Sequence, residues 1–327
     1  MADRKSAICY VKNMSWRLEA WNPDYALPQV GFEQAPIHEE VKTGIEGGAW
    51  EAKRPASVAP ADWPVLYFVD GRQRVDAVVA DEGGHRAILA TVSAGAVVRD
   101  GAGIRLAGEP RVRRVLLHPE GLEVEPVRVG PLIYEPEAAR ATDLQGLRSK
   151  VTEVMRRLEA QLAMALCDER CLVVMDGQIY LTGQPTAHPL LGYTKTMPGL
   201  YLPPEEQALL YRLEPHQRTP IFRLPGYGLG RRVDVFSWYV QLPLNPSAPF
   251  HSGAGLMRVE TTVSEPYEAR RLADLSVSLF CSMASSPARD GRAPQNLIAV
   301  GALEMFLGRY MGQGDVIRRK IVQALFG

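Results

Sequence analysis

The sequence predicts an α/β fold: a mixed β-sheet flanked by helices, with further helices closing the chain. Three observations predict it. Two short apolar runs, Val65-Leu66-Tyr67-Phe68-Val69 and Cys171-Leu172-Val173-Val174-Met175, have the length and branched or aromatic content of buried strands. Between them, Leu144, Leu147, Val151, Met155, Leu158, Leu162 and Ala165 recur in steps of three and four, the spacing of one buried helix face. The 327 residues are 46% hydrophobic and carry 37 Lys+Arg against 37 Asp+Glu, enough for a sizeable core. That balance rules out a mostly disordered chain. It also removes the strongly basic signature of many nucleic-acid binders, while leaving a local basic groove open.

The elements follow in order. Residues 1–63 hold scattered Pro, Gly and Trp without a sustained period and read as an irregular arm; residues 64–327 read as one domain. The first apolar run is closed by Asp70-Gly71. Residues 75–80 read as a second strand, Gly83-Gly84 turns the chain, and residues 87–98 read as a third, a hairpin-linked set. Strand pieces at 112–117 and 122–129 flank His118-Pro119-Glu120-Gly121. Asp143 is placed to cap the helix that ends near Cys167. The second apolar run is closed by Asp176-Gly177, and a strand-like piece follows over 189–196. A helix over 203–213 and strands over 233–242 and 256–263 come next. Two helices finish the chain, at 265–285 and 295–325, the latter broken near residues 312–314.

Residues 7–11 are too short an apolar run for a signal-peptide core. No stretch reaches the roughly 18 consecutive apolar residues of a membrane span, so no membrane partner is expected. Cys9, Cys167, Cys171 and Cys281 lack the spacing of a four-ligand zinc site. Reduced, mostly buried thiols in a cytoplasmic protein are the expectation.

The chemistry is carried by the paired Asp-Gly motifs. Taken singly, Asp-Gly after a strand is common turn chemistry. Their order in the chain says more. A strand, two hairpin-linked strands, a long helix and a second buried strand is the order of a ribonuclease-H-like sheet, where the first strand and the strand after the helix lie parallel and adjacent. Sites in open α/β sheets lie beyond the carboxyl ends of parallel strands, so Asp70 and Asp176 are expected to converge. Two close carboxylates repel each other unless a cation lies between them. Oxygen-only ligands favour magnesium or manganese. Glu159, four residues after Met155 and three before Leu162, flanks the buried helix face and offers a third carboxylate; the alternative is a solvated flank paired with Arg156.

Three carboxylates around divalent ions make a phosphodiester hydrolase site, because the ion acidifies a bound water and steadies the leaving oxygen. Lys195 is placed to neutralise the scissile phosphate or orient the attacking water, or else is a surface lysine at a strand end. Arg72 and Arg74 either contact DNA phosphates beside the site or line a solvated hairpin face. Arg258 and Glu260 share one strand face, near the metal centre or as a cross-strand ion pair. Arg231-Arg232 and Arg318-Arg319-Lys320 read as solvated surface. Tyr201, Tyr227, Trp238 and Tyr239 are candidates for base stacking, with core packing the stronger reading. Gly226, Gly228 and Gly230 form a loop without the strand-to-helix context of a phosphate cradle.

This ordered set resembles the NurA nuclease family, which partners the HerA DNA translocase in DNA end processing. FVDGRQRVDAVV is similar to the first acidic motif, Arg156-Arg157-Leu158-Glu159 to the second and CLVVMDGQIY to the third, followed by LLGYTKTM, MRVETT and PQNLIAVGALEMFLGRYMG. The resemblance runs from about residue 64 to the C-terminus. It implies a ribonuclease-H-like core and Mn2+-dependent cleavage of DNA, with Mg2+ as a second possible ion. It further implies 5'-3' exonuclease and endonuclease activity in double-strand-break end processing, and a homodimer docked on a HerA-type hexameric ATPase. It assigns metal binding to Asp70, Glu159 and Asp176, and matches Lys195 to the lysine of the family's Lys-Thr segment. Many members carry a histidine near the start of the last helix; here Gln295-Asn296-Leu297-Ile298 stands there, with no histidine after His251. Gln295 or Asn296 can donate a hydrogen bond, but neither titrates near neutral pH. The alternative function is a catalytically silent, nuclease-like adapter that regulates a DNA translocase. A two-carboxylate glycoside hydrolase is less well served, since no aromatic-rich sugar cleft accompanies the acids.

Overall fold

A long hairpin organises the molecule. The computed structural model describes residues 41–81, 84–101, 103–181, 188–195, 201–226, 229–230, 233–244, 254–286 and 294–326. Cys9, most of the N-terminal arm, Gly83, Thr196, Tyr227, Gly228 and Arg231-Arg232 lie outside them. The strands are β1 (Val65–Ala80), β2 (Arg86–Asp100), β3 (Gly103–Leu106), β4 (Arg111–Pro119), β5 (Val127–Val129), β6 (Leu132–Ala139), β7 (Cys171–Asp176), β8 (Tyr180–Leu181), β9 (Leu190–Thr194), β10 (Phe222–Leu224), β11 (Leu229–Gly230), β12 (Val235–Gln241) and β13 (Leu256–Thr261). The helices are α1 (Leu144–Leu166), α2 (Pro204–Gln207), α3 (Pro266–Met283), α4 (Ile298–Tyr310) and α5 (Gly314–Phe326).

One sheet runs in the order β10-β12-β13-β9-β7-β1-β2-β4-β6-β5, with β3 beside β2; β8 and β11 pair separately. β1, β2 and β4 form an antiparallel meander. β7 joins β1 in parallel, and β9 joins β7 in parallel. This is the ribonuclease-H-like mixed sheet that the element order predicts. It is extended on one side by antiparallel β13, β12 and β10 and on the other by β6 and β5.

The helices bury the two faces. The Asp143 carboxylate accepts from the Gly146 N–H at 2.7 Å and caps α1. The buried stripe of α1, Leu147, Val151, Val154 and Met155, packs on Ile88, Ala90, Val92, Val115 and Leu117. On the other face Leu303 and Leu307 of α4, with α3, cover Leu66, Phe68, Val97, Leu172 and Val174. β2 is therefore buried on both faces, which its small and branched residues allow. Gly312, at φ +77°, lies between α4 and α5, where the last helix was expected to break.

Several expectations are corrected. The separate strands expected at 65–69 and 75–80 are one 16-residue strand, irregular only between Val75 and Ala77. Pairing of Asp70, Gly71 and Arg72 with Gly95, Ala94 and Ser93 of β2 holds this polar stretch extended. The parallel ladder to β7 nevertheless ends at Val69 opposite Met175. Asp70 thus stands where parallel pairing stops, in the middle of its own strand. The helix expected over 203–213 is α2 followed by a 3-10 turn, Leu210–Arg212, which turns Leu209, Leu210 and Leu213 into a small core with Phe222 and Tyr239. The strand expected over 122–129 is reduced to β5.

Two buried polar groups tie distant segments together. Asp76 accepts from Arg74 Nε at 2.6 Å, Thr91 Oγ1 at 2.5 Å and Tyr134 Oη at 2.9 Å. Arg218 pairs with Glu46 at 2.8 Å and with Asp274 at 2.6 Å. Lys42 and Lys53, in the segment before β1, bridge to Arg223 and Arg218, and Trp63 joins the main core. Cys171 and Cys281 are buried, and burial pushes the Cys281 thiol up to about 11. Among the described residues, no helix is long and apolar enough to cross a membrane.

Candidate active site

Strand alternation puts Asp70 on the β1 face that carries Leu66 and Phe68, and Asp176 on the β7 face that carries Leu172 and Val174. α4 lies across that face and brings Glu304 to it. Oxygens of Asp70, Asp176 and Glu304 come within 4.8 Å of one another; Asp70 is buried and the other two are half-buried. Gly95, the β2 partner of Asp70, lets α4 approach so closely. A Cβ at Gly95 would stand 2.9 Å from Leu307 Cδ2 and 3.2 Å from Leu303 Cδ1.

Glu159 arrives from α1, which covers the opposite face. Gly71 opens the way: a Cβ there would stand 2.4 Å from Glu159 Oε1 and 2.9 Å from Met155 Cγ. The first Asp-Gly is thus no turn. Its glycine lies within β1, outside the set with left-handed backbone, and serves close approach. Glu159 is 1% exposed. Its Oε2 accepts from Arg156 Nη1 at 3.1 Å, and its Oε1 has no side-chain hydrogen-bond partner among the described residues. Arg156 Nη1 also donates to the main-chain oxygen of Asp176 at 2.6 Å.

Lys195, just beyond β9, completes the cluster. Its Nζ donates to Asp176 Oδ2 at 2.5 Å and to Asn296 Oδ1 at 2.6 Å. Asn296, buried just ahead of α4, thus meets the lysine.

The electrostatics follow from this crowding. Burial, then the Asp176 and Glu159 charges, hold the Asp70 carboxyl well above the usual carboxylate range; Lys195 opposes them and Glu304 adds to them. Burial raises Glu159 as well, with Arg156 pulling it down and Asp176 pushing it up. The Glu159 charge in turn keeps Arg156 firmly protonated against the pull of burial. The converging trio is therefore Asp70, Asp176 and Glu304 rather than the expected Asp70, Glu159 and Asp176; Glu159 stands outside it, near enough for its charge to raise Asp70. Three close carboxylates and an all-oxygen donor set fit a hard divalent cation.

The remaining candidates fall into place around the centre. Arg72 is exposed at its rim and donates to the Glu304 main-chain oxygen at 3.1 Å. Arg74 is turned instead to Asp76 and to the carbonyls of Gly312 at 2.7 Å and Met311 at 3.3 Å, at the C-terminal end of α4. Arg258 and Glu260 form a buried ion pair at 2.6 Å along β13 rather than across strands. Glu260 Oε1 accepts from the Ile179 N–H at 2.7 Å, so the pair holds the turn that follows Asp176. Trp238 and Tyr239 are core residues, and Tyr201 packs over the Arg258 guanidinium at 4.7 Å. Arg318, Arg319 and Lys320 are exposed on α5. The residue that sequence reasoning missed is Glu304. Its signal was present: it lies four residues after Val300 and three before Leu307, the same flank position that singled out Glu159.

No protein-family model matches the sequence, and no curated protein matches it. Among solved structures, the chain is similar to the NurA nuclease from Sulfolobus solfataricus, with a TM-score of 0.48 and 11% sequence identity over 82% of this chain and 85% of that one.

Proposed function

We propose that this chain is a divalent-metal-dependent DNA nuclease. The observation that supports it most is the convergence of Asp70, Asp176 and Glu304 oxygens within 4.8 Å of one another, with the Glu159 charge felt at Asp70. These acids would hold the cation, Mn2+ or Mg2+. When bound, it would supply Lewis acidity toward a phosphodiester and acidify water.

The chain's own side chains supply the rest. Asp70, Asp176 and Glu304 would hold the cation, with Glu159 as a fourth acid beside them. Lys195 donates to Asp176 and is placed to neutralise a phosphate oxygen as charge develops. Asn296 restricts that ammonium to one side of the site. Arg72, exposed at the rim, is suited to a backbone phosphate and so orients the strand without reading its sequence. Arg74 was a second candidate for that role, but its donors are engaged within the fold. In the finer reading, the domain spans residues 64–327 with an N-terminal arm at 1–63. The enzyme is cytoplasmic and acts as a homodimer with a HerA-type hexameric ATPase in end processing, as 5'-3' exonuclease and endonuclease.

The test is cleavage of linear DNA by the purified chain with Mn2+ or Mg2+, with metal omitted as control. Asp70→Ala and Asp176→Ala are expected to abolish cutting. A chain that never cuts, with or without a hexameric translocase, would be the silent adapter instead.

A further inference from the structure

We infer that Arg156 is the positioning residue that aims Glu159 at the metal site, fixing one carboxylate oxygen so that the other is left for the cation. The inference rests on the metal-dependent reading above. One guanidinium nitrogen, Nη1, is shared between Glu159 Oε2 at 3.1 Å and the Asp176 main-chain oxygen at 2.6 Å. Glu159 is on α1 and Asp176 ends β7, so this nitrogen links two of the acid-bearing elements.

Gly177 makes the link sterically possible. A Cβ there would stand 2.6 Å from Arg156 Nη2, 2.7 Å from Nη1 and 2.9 Å from Cζ. Its φ of +98° also disfavours any side chain. The glycine of the second Asp-Gly therefore shapes a turn and seats the arginine at once.

On the Glu159 side, a carboxylate 1% exposed keeps one oxygen on Arg156 and leaves the other, Oε1, without a side-chain partner, against the Gly71 backbone, whose N–H favours the charged form, and near enough for its charge to be felt at Asp70. A buried carboxylate oxygen short of donors is costly. It is retained where a ligand supplies its missing partner. Partners that orient metal-ligating carboxylates typically change metal affinity by roughly 10–100-fold when removed.

Charge alone argues the other way, since a permanent cation beside a metal site repels the metal. The two effects have opposite signs, so one experiment separates them. Mn2+ is titrated calorimetrically into the full-length chain, into Arg156→Lys, Arg156→Gln and Glu159→Gln, and into the Arg156→Lys/Glu159→Gln double variant, with melts in EDTA to verify folding. Arg156→Lys keeps the charge and loses the forked geometry; it is expected to bind Mn2+ roughly 10–100-fold more weakly. Arg156→Gln is expected to weaken binding too, although a repelling charge is gone. In the Glu159→Gln background, the Arg156→Lys effect is expected to vanish.

Tighter or unchanged binding by either single variant would overturn the inference, as would an undiminished Arg156→Lys effect without Glu159. Arg156→Lys carries the test by itself if Arg156→Gln does not fold. A wild-type chain that binds no Mn2+ would overturn the metal reading and this inference together.

Discussion

Removing negative charge from the acidic centre has a definite sign. Asp70→Ala and Asp176→Ala should abolish metal-dependent cleavage yet melt at or above the wild-type temperature in EDTA, because clustered carboxylates repel. A large loss of stability would mark these acids as structural. The pH dependence follows from the raised Asp70 pKa. A carboxyl whose folded pKa exceeds the unfolded value of about 3.9 takes up its proton on folding. Its stabilising contribution is complete below the unfolded value and is lost as pH rises through the folded one. The metal-free wild type should therefore gain stability relative to Asp70→Asn as pH falls from neutral toward about 4. Parallel melting curves across that range would remove the basis for this expectation. Glu304→Gln should weaken Mn2+ binding by at least the roughly 10–100-fold of an outer-shell change, read by the same titration. The convergence of Asp70 and Asp176 was legible because each follows a clear apolar strand pattern. Glu304 was not, because its helix is apolar nearly all round and masks a single acidic flank position.

At the scale of elements, the site depends on two glycines that admit helices to the sheet. Gly71→Ala should push Glu159 and Met155 off β1, since the new Cβ would stand 2.4 Å from the carboxylate oxygen. The expected cost is about 1–3 kcal/mol of stability together with most of the cleavage activity. Chemical denaturation and a nuclease assay would check this, and an Ala variant as active as wild type would show that α1 has room to spare. The same glycine shows where sequence reading fails. Asp-Gly followed by Arg-Gln-Arg has the local preferences of a turn, and only the partner strand shows otherwise. Strand formation depends on neighbours more than on the segment itself. α1 was readable almost to the residue, because its cap and its 3.6-residue stripe are both local signals. β8, β10 and β11 were not, being short pieces at the rim or off the main sheet, and neither was β6, eight residues interrupted by Pro136 between β4 and β5.

At the scale of the whole molecule, residues 41–63 contribute to the core that supports the site. Val41, Trp50 and Ala52 pack on the cluster around Phe222 and Tyr239. Glu46 is one of the two anions that compensate the buried Arg218. A chain starting at residue 64 should therefore be severely destabilised. Arg218→Ala, which leaves Glu46 buried without its cation, should cost about 3–5 kcal/mol. Urea melts of both would test this; a truncated chain as stable as the full one would mean that the segment merely rests on the surface. Nothing in the composition of residues 1–63 announces such a role, because the contacts by which residues 41–63 join this core are to residues far away in sequence.

The reach of β1 past β7 has a further effect. From Gly71 to Ala80 the strand has a ladder neighbour only on the β2 side among the described residues, which leaves its other rim without a strand partner there. Arg72, Gln73, Arg74 and Asp76 fall in that stretch. Of these four, Arg72 and Gln73 are the exposed ones, and charged or polar side chains there disfavour edge-to-edge pairing of one molecule with the next, so β-branched apolar residues at these two positions should promote aggregation.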